Sequence, residues 1–382
     1  MSSTPPHLPP CGVTAIGMVS SLGRDALSSC AASRAGLSIP SELKVVDVKT
    51  QALVGEEKYD GPPSLLGHIV RGQAEGFAGP GKALVLGTLA LRDLMNRRRL
   101  SLQEQRHTGL VVNLSDWAMQ DALAVHPPHL STDPLPSAAW RKQTATFAQR
   151  LATKSELDLA PTCQVTLHGG SAGMALAVRE AMTLLHAGKV ERCIVGGIDS
   201  RVEPSFLKAA AVLNRLRTTD NPVGLTPGEG AAFLLLEPLS KAGRLGARAQ
   251  VDAVASALEP ASSFADIPPT GASLAQAILG VLRKEPPRGA FWFVGDLNGT
   301  ERRAAEWGRA MARVHASVTL DDVPLWLPAA SFGDTGAASA AMGTCLAVRA
   351  FERGYAPARA CTVWMCSEGA NRGALALRRL SD

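Results

Sequence analysis

Twice in this chain a glycine turn opens into a helix of mostly small side chains that closes on a glycine. SAGMALAVREAMTLLHAG (171–188) stops at Gly188, and TGAASAAMGTCLAVRAFERG (335–354) stops at Gly354. CQVTL (163–167) leads into the first and PAASFG (328–333) into the second. An apolar strand-like run follows each: VERCIVGGID (190–199) and ARACTVWMC (358–366). Helices and turns of this composition pack closely through small side chains. The repeated order of strand, glycine turn, helix and strand predicts an α/β protein built from two similar halves. Such alternation is common to α/β proteins, so the repeat alone does not name a fold.

The length, 382 residues, suits two domains or one large domain made of two halves. The expected division is 11–240 and 241–382. Further strands are expected at CGVTAIGMV (11–19), TGLVVNL (108–114), GEGAAFLLLEPL (228–239) and GALAL (373–377). DALSSCAASRAG (25–36) and KALVLGTLALRDLM (82–95) carry helical patterns. From Ser115 to about Ala160, a stretch that holds VHPPHLSTDPLP (125–136), a long irregular surface excursion is expected.

Hydrophobic residues make up 46% and charged residues 19%, the balance of a soluble globular chain. A net charge of +5 without a Lys/Arg block argues against nucleic acid as a partner. No apolar run is long enough for a membrane span, and the start, MSSTPPHLPPCG, lacks signal-peptide character. Seven scattered cysteines without a C-x-x-C pair read as reduced core thiols, which points to the cytoplasm. No cofactor and no metal are called for.

GGSAG (169–173) matches G-x-S-x-G, a nucleophile elbow in many hydrolases. A hydrolase would need a histidine after the serine and its acid, and only His186 and His315 follow Ser171. His186 ends the same helix, roughly 22 Å from Ser171 at 1.5 Å per residue. His315 stands in RVHASVTL without a Gly-rich loop. The hydrolase reading is the weaker one.

Three stretches together resemble the β-ketoacyl-acyl carrier protein synthase branch of the thiolase-fold superfamily. They are VTAIGMVSSLGRDALSSCAASRAGLS (13–38), AGKVERCIVGGIDS (187–200), and LRTTDNP with PGEGAAFLLLEP (216–238). Residues 40–160 and 240–290 carry little of the resemblance. It implies a five-layered αβαβα thiolase fold of two pseudo-equivalent halves, assembled as a homodimer or as a heterodimer with a related synthase subunit. It also implies a nucleophilic cysteine at the start of the first central helix, and two histidines from the second half, in an H-G-T-G-T loop and a G-H turn. On this chain those positions fall on Ser171, on Asn298 in NGT, and on Asp334 after Gly333. All three differ from the family, so the resemblance implies a degenerate site. CSEGANRGALAL (366–377) also departs from the family's glycine- and phenylalanine-rich loop, and NPVGLTP (221–227) is short where synthases carry a longer charged loop.

The chemistry follows from those residue types. A cysteine at a helix N-terminus is activated because the helix dipole lowers a thiol pKa. A serine hydroxyl needs a neighbouring base, for which His168 and Asp334 are candidates, and backbone N–H groups at the helix start could form an oxyanion hole. Asn298 can still donate one hydrogen bond through its amide. An ionised Asp334 only accepts, and it would repel a malonyl carboxylate and an enolate. Plainer roles are open to all four. Ser171 and Asp334 suit turns and helix caps, Asn298 suits a turn, and His168 suits a turn bonded to backbone.

Three functions remain. The first is a non-condensing partner or regulatory homologue of a fatty acid or polyketide synthase, a pseudoenzyme working beside acyl carrier protein. The second is an acyltransferase that uses Ser171 on acyl-carrier-protein or CoA thioesters. The third is a dimeric adaptor unrelated to lipid chemistry, such as a secretion accessory.

Overall fold

The computed structural model describes residues 8–43, 65–125, 135–260, 263–264, 267–282, 291–320 and 322–380. Its strands are β1 (Cys11–Val19), β2 (Ser41–Glu42), β3 (Leu66–Gly67), β4 (Thr108–Leu114), β5 (Gln164–His168) and β6 (Arg192–Ser200), then β7 (Glu229–Pro238), β8 (Ala249–Leu258), β9 (Phe291–Val294), β10 (Leu325–Trp326), β11 (Ala360–Cys366) and β12 (Asn371–Arg379). β2 and β3 form a small ribbon. The other ten lie in the order β10-β9-β11-β12-β8-β1-β7-β6-β4-β5.

That order contains the same five-strand pattern twice. In the first series β5, β4 and β6 run parallel, and β7 and then β1 are added antiparallel. In the second, β10, β9 and β11 run parallel, and β12 and then β8 are added antiparallel. The two series join where Cys11–Val13 of β1 pairs antiparallel with Ala249–Val251 of β8.

The small-residue helices lie between the two series. The first central helix, Gly173–His186, packs on β4 and β6 of one series and on β12 and β8 of the other. The second, Ser339–Arg353, packs on β7, β1 and β11. Alanines and glycines let both helices approach strands on two sides, and together they form the inner core. Outer helices complete the layers. Gly79–Arg97 and Phe147–Lys154 cover the first series, while Ala272–Val281 and Glu301–His315 cover the second. Strands covered on both faces have no polar side to show water, which is why β7 reads AAFLLLEP without alternation and is buried almost throughout.

The stretch after Ser115 corrects the expectation of an irregular excursion. Helices form at Ala118–Ala124, Pro136–Gln143 and Phe147–Lys154. Phe147, Ala148, Leu151 and Ala152 line one face of the last and enter the outer core, because their spacing is helical. Within VHPPHLSTDPLP, residues 126–134 lie outside the described residues. All seven cysteines are buried and free. Among the described residues no helix is long and apolar enough to cross a membrane.

Candidate functional site

Each central helix opens through a single 3-10 turn. The first is Gly170–Ala172, the second Gly336–Ala338. Both begin on a glycine in the left-handed region, Gly170 at φ 63° and Gly336 at φ 52°, where a side chain would be strained. Ser171 is thus the counterpart of Ala337. The two turns meet at Asn113, a polar residue inside the apolar strand β4. Its Nδ2 donates to Gly170 O at 2.8 Å and to Ala337 O at 3.2 Å, while its Oδ1 accepts from Gly169 N at 3.1 Å. Gly197 of β6 makes room for the second turn, since a Cβ there would sit 2.1 Å from Ala337 O.

Ser171 is fully buried, and its Oγ has no hydrogen-bond partner among the described residues. It therefore caps nothing, contrary to the plainer reading of this serine. Ser367 takes over at this turn, with its Oγ donating to Gly169 O at 2.6 Å and accepting from Ala172 N at 2.8 Å. The Gly173 N–H turns back to Gly170 O. Two N–H groups at the helix start are thereby occupied within the protein. His168, at the end of β5, faces Thr144 instead of Ser171. The Thr144 hydroxyl donates to Trp140 O at 2.6 Å, which leaves His168 Nε2 to donate to Thr144 Oγ1 at 2.7 Å. Burial, helped by Arg141, lowers the His168 pKa to about 4.

Asn298 and Asp334 do come together. Asn298 Nδ2 donates to Asp334 Oδ2 at 2.5 Å. Each also holds its own loop, as a turn residue would: Asn298 Oδ1 accepts from Thr300 N and Oγ1, and Asp334 Oδ1 accepts from Gly336 N. What the sequence did not announce is the pair of arginines around them. Arg201 Nη1 lies 2.7 Å from Asp334 Oδ2 and 3.6 Å from Glu368. Arg303 lies 2.7 Å from Glu368, 3.3 Å from Asp296 and 3.9 Å from Asp334. Burial alone would raise the Asp334 pKa, but Arg201, Arg303 and the Asn298 amide outweigh it and hold the group below the usual carboxylate range. Glu368 is lowered against the same burial by Arg303 and Arg201. Both acids are therefore ionised at neutral pH, each facing two guanidiniums.

Three other aspartates ring this centre with the opposite balance. Burial raises Asp116 beside Gly170, and it raises Asp199 and Asp296 to about 6 each, with Arg201 and Arg303 opposing only in part. Asp199 accepts from Ala337 N at 2.9 Å, and Asp296 from Cys366 N at 3.0 Å and Ser339 Oγ at 2.9 Å. A further histidine escaped the sequence reading. His68 packs behind the second loop, where a Cβ on Gly333 would sit 2.8 Å from its ring, and burial lowers its pKa to about 4. The free space at the ion cluster, between Arg303, Ser367 and Glu368, is about 10 Å³, the room of a single water. Outside it, Arg215, Thr300, Arg302 and Arg309 border an open groove of about 600 Å³.

No family model and no curated protein matches the sequence. The fold, by contrast, has many solved counterparts. The ishigamide ketosynthase/chain length factor superposes with a TM-score of 0.73 at 18% identity, over 98% of this chain and 100% of that one. A type II PKS acyl-carrier protein in complex with its ketosynthase bound to the hexaketide gives 0.75 at 15% identity, over 98% and 100%. The ketosynthase from module 6 of the bacillaene synthase from Bacillus subtilis 168 gives 0.72 at 10% identity, over 98% of this chain and 72% of that one. This is a ketosynthase-like thiolase fold. The two five-strand series are its pseudo-equivalent halves, and Ser171 sits on the turn into the first central helix.

Proposed function

We propose that this chain is a non-condensing ketosynthase-like subunit that works beside a related, active synthase and an acyl carrier protein in polyketide or fatty acid assembly. The observation that carries the reading is the Asp334 carboxylate, ionised between Arg201 and Arg303 and bonded to Asn298. Decarboxylative condensation needs neutral or cationic donors aimed at a developing enolate oxygen. At this position the chain has an acceptor whose charge is already neutralised by its own arginines. A ketosynthase/chain length factor and a ketosynthase with its acyl-carrier protein among the structural counterparts favour such a partner and such a carrier.

The test is to incubate the purified chain with malonyl- and acyl-carrier-protein thioesters, following CO₂ release and intact mass. No turnover above a boiled control is expected, with or without Ser171→Cys, because that substitution leaves the donors absent. Condensation by the wild type sinks the proposal.

One observation favours the second reading, an acyltransferase: the Ser171 hydroxyl is buried at a helix start and unpaired. Against it, His168 is spent on Thr144, and the Ala172 N–H is spent on Ser367. An acyl adduct of the wild type that is lost in Ser171→Ala makes this reading the better one.

A further inference from the structure

A cavity of about 340 Å³ opens between the start of the helix Gly79–Arg97 and the segments that follow β4 and β6. One wall is aromatic. Trp117 stacks on Trp140 with centroids 5.1 Å apart and planes 15° from parallel, and Phe206 also lines the space. That wall is held in place before any ligand arrives. Trp140 Nε1 donates to Ser115 O at 3.1 Å, and Trp117 sits at φ 57°, a left-handed conformation that a bulky residue rarely adopts. The polar groups on the lining include two acids, Asp199 and Glu203, and no lysine, arginine or histidine.

Glu203 is incompletely satisfied. Its Oε2 accepts from Gly79 N at 3.2 Å, but its buried Oε1 has no hydrogen-bond donor. The nearest cation, Lys82, is shared: it lies 3.8 Å from that oxygen and 2.9 Å from Glu229. Burial outweighs the Gly79 N–H and Lys82 and raises the Glu203 pKa, so its carboxylate gains from a further cationic partner. A carboxylate or phosphate entering here would meet two acids and no counter-charge on the lining. A flat ring carrying an ammonium meets both walls favourably, through stacking, cation–π contact and a charge-assisted hydrogen bond.

We propose that this cavity binds a small aromatic amine, with its ring against Trp117 and its ammonium on Glu203. The site is independent of the proposed function, since neither Ser171 nor Asp334 takes part. The size falls in the range of small-molecule pockets.

Isothermal titration calorimetry of the full chain tests this with two probes of matched shape, 2-phenylethylamine and 3-phenylpropionate. The amine is expected to bind saturably at one site, and the carboxylate at least about tenfold more weakly. Glu203→Gln, which keeps the volume, is expected to weaken the amine about tenfold or more. Trp117→Ala should weaken it as well, with circular dichroism confirming that both variants are folded. Equal binding of the carboxylate, unchanged amine affinity in folded Glu203→Gln, or no saturable amine binding up to millimolar concentration each overturns the proposal.

Discussion

Ser171 and Ser367 stand at the same turn with opposite hydrogen-bonding states, and their alanine variants should differ accordingly. Removing an unpaired buried hydroxyl gives up no bond and relieves its desolvation, so Ser171→Ala is expected to leave stability unchanged or raise it by up to about 1 kcal/mol in urea unfolding. Ser367→Ala strips both Gly169 O and Ala172 N of their partner and should cost about 1–3 kcal/mol. Arg201→Met leaves a buried Asp334 with less compensation, and about 3–5 kcal/mol of destabilisation is expected. If Ser171→Ala proves as costly as Ser367→Ala, the hydroxyl is bonded in solution. At this scale the sequence disclosed Ser171, Asn298 and Asp334, because each occupies a recognisable motif position. Asn113 could have been noticed as the polar residue in TGLVVNL. Arg201, Arg303, Ser367 and Glu368 could not, because their partners lie far away in the sequence and each alone looks like an ordinary polar residue.

The elements around the two turns should show their electrostatics in pH dependence. Asp199 and Asp296 have folded pKa values raised to about 6, so the folded state binds protons more readily than the unfolded one. Their contribution is present below the unfolded value near 4 and is lost as pH rises through about 6. His68 and His168, lowered to about 4, act in the other direction, and stability from them is lost as pH falls from the ordinary histidine value of 6.5 towards 4. The two pairs oppose each other over one window, so the wild type should be nearly flat there. Asp334 and Glu368, held below the usual range, add a loss only on further acidification. Asp199→Asn removes half of one side of the balance. Relative to wild type it should gain about 3 kcal/mol between pH 4 and pH 7, from two pKa units at 1.36 kcal/mol each. Parallel urea curves for the two proteins across that range would contradict the assignment of Asp199. Close packing gives a second test at this scale. Gly197→Ala pushes a methyl against Ala337 O, and a loss of about 1–3 kcal/mol is expected.

Across the whole molecule, the terminal strand of the first series leaves the most open question of assembly. All five residues of β5 are only partly buried, although Val165 and Leu167 reach the inner core. An open sheet edge of this kind invites another strand. We expect the purified chain to form a dimer through β5, with light scattering giving about twice 39.9 kDa at micromolar concentration. A stable monomer under those conditions counts against pairing at this edge.

What the sequence determined by itself is what short-range chemistry records. β1 and β4 lie where their apolar runs ended, at Cys11–Val19 and Thr108–Leu114, and the repeated small-residue helices marked the centre of the molecule. The segments that escaped the sequence reading, such as β8 and the helix Phe147–Lys154, have mixed composition, and burial against neighbours decided their structure. Tertiary structure alone decided the site. It brought Arg201 from the first half onto Asp334 from the second, left the Ser171 hydroxyl without a partner, and turned His168 toward Thr144. Whether a buried polar group is paired depends on distances between residues that lie from 24 to 133 positions apart in these cases, and a local pattern of residue types carries no record of them.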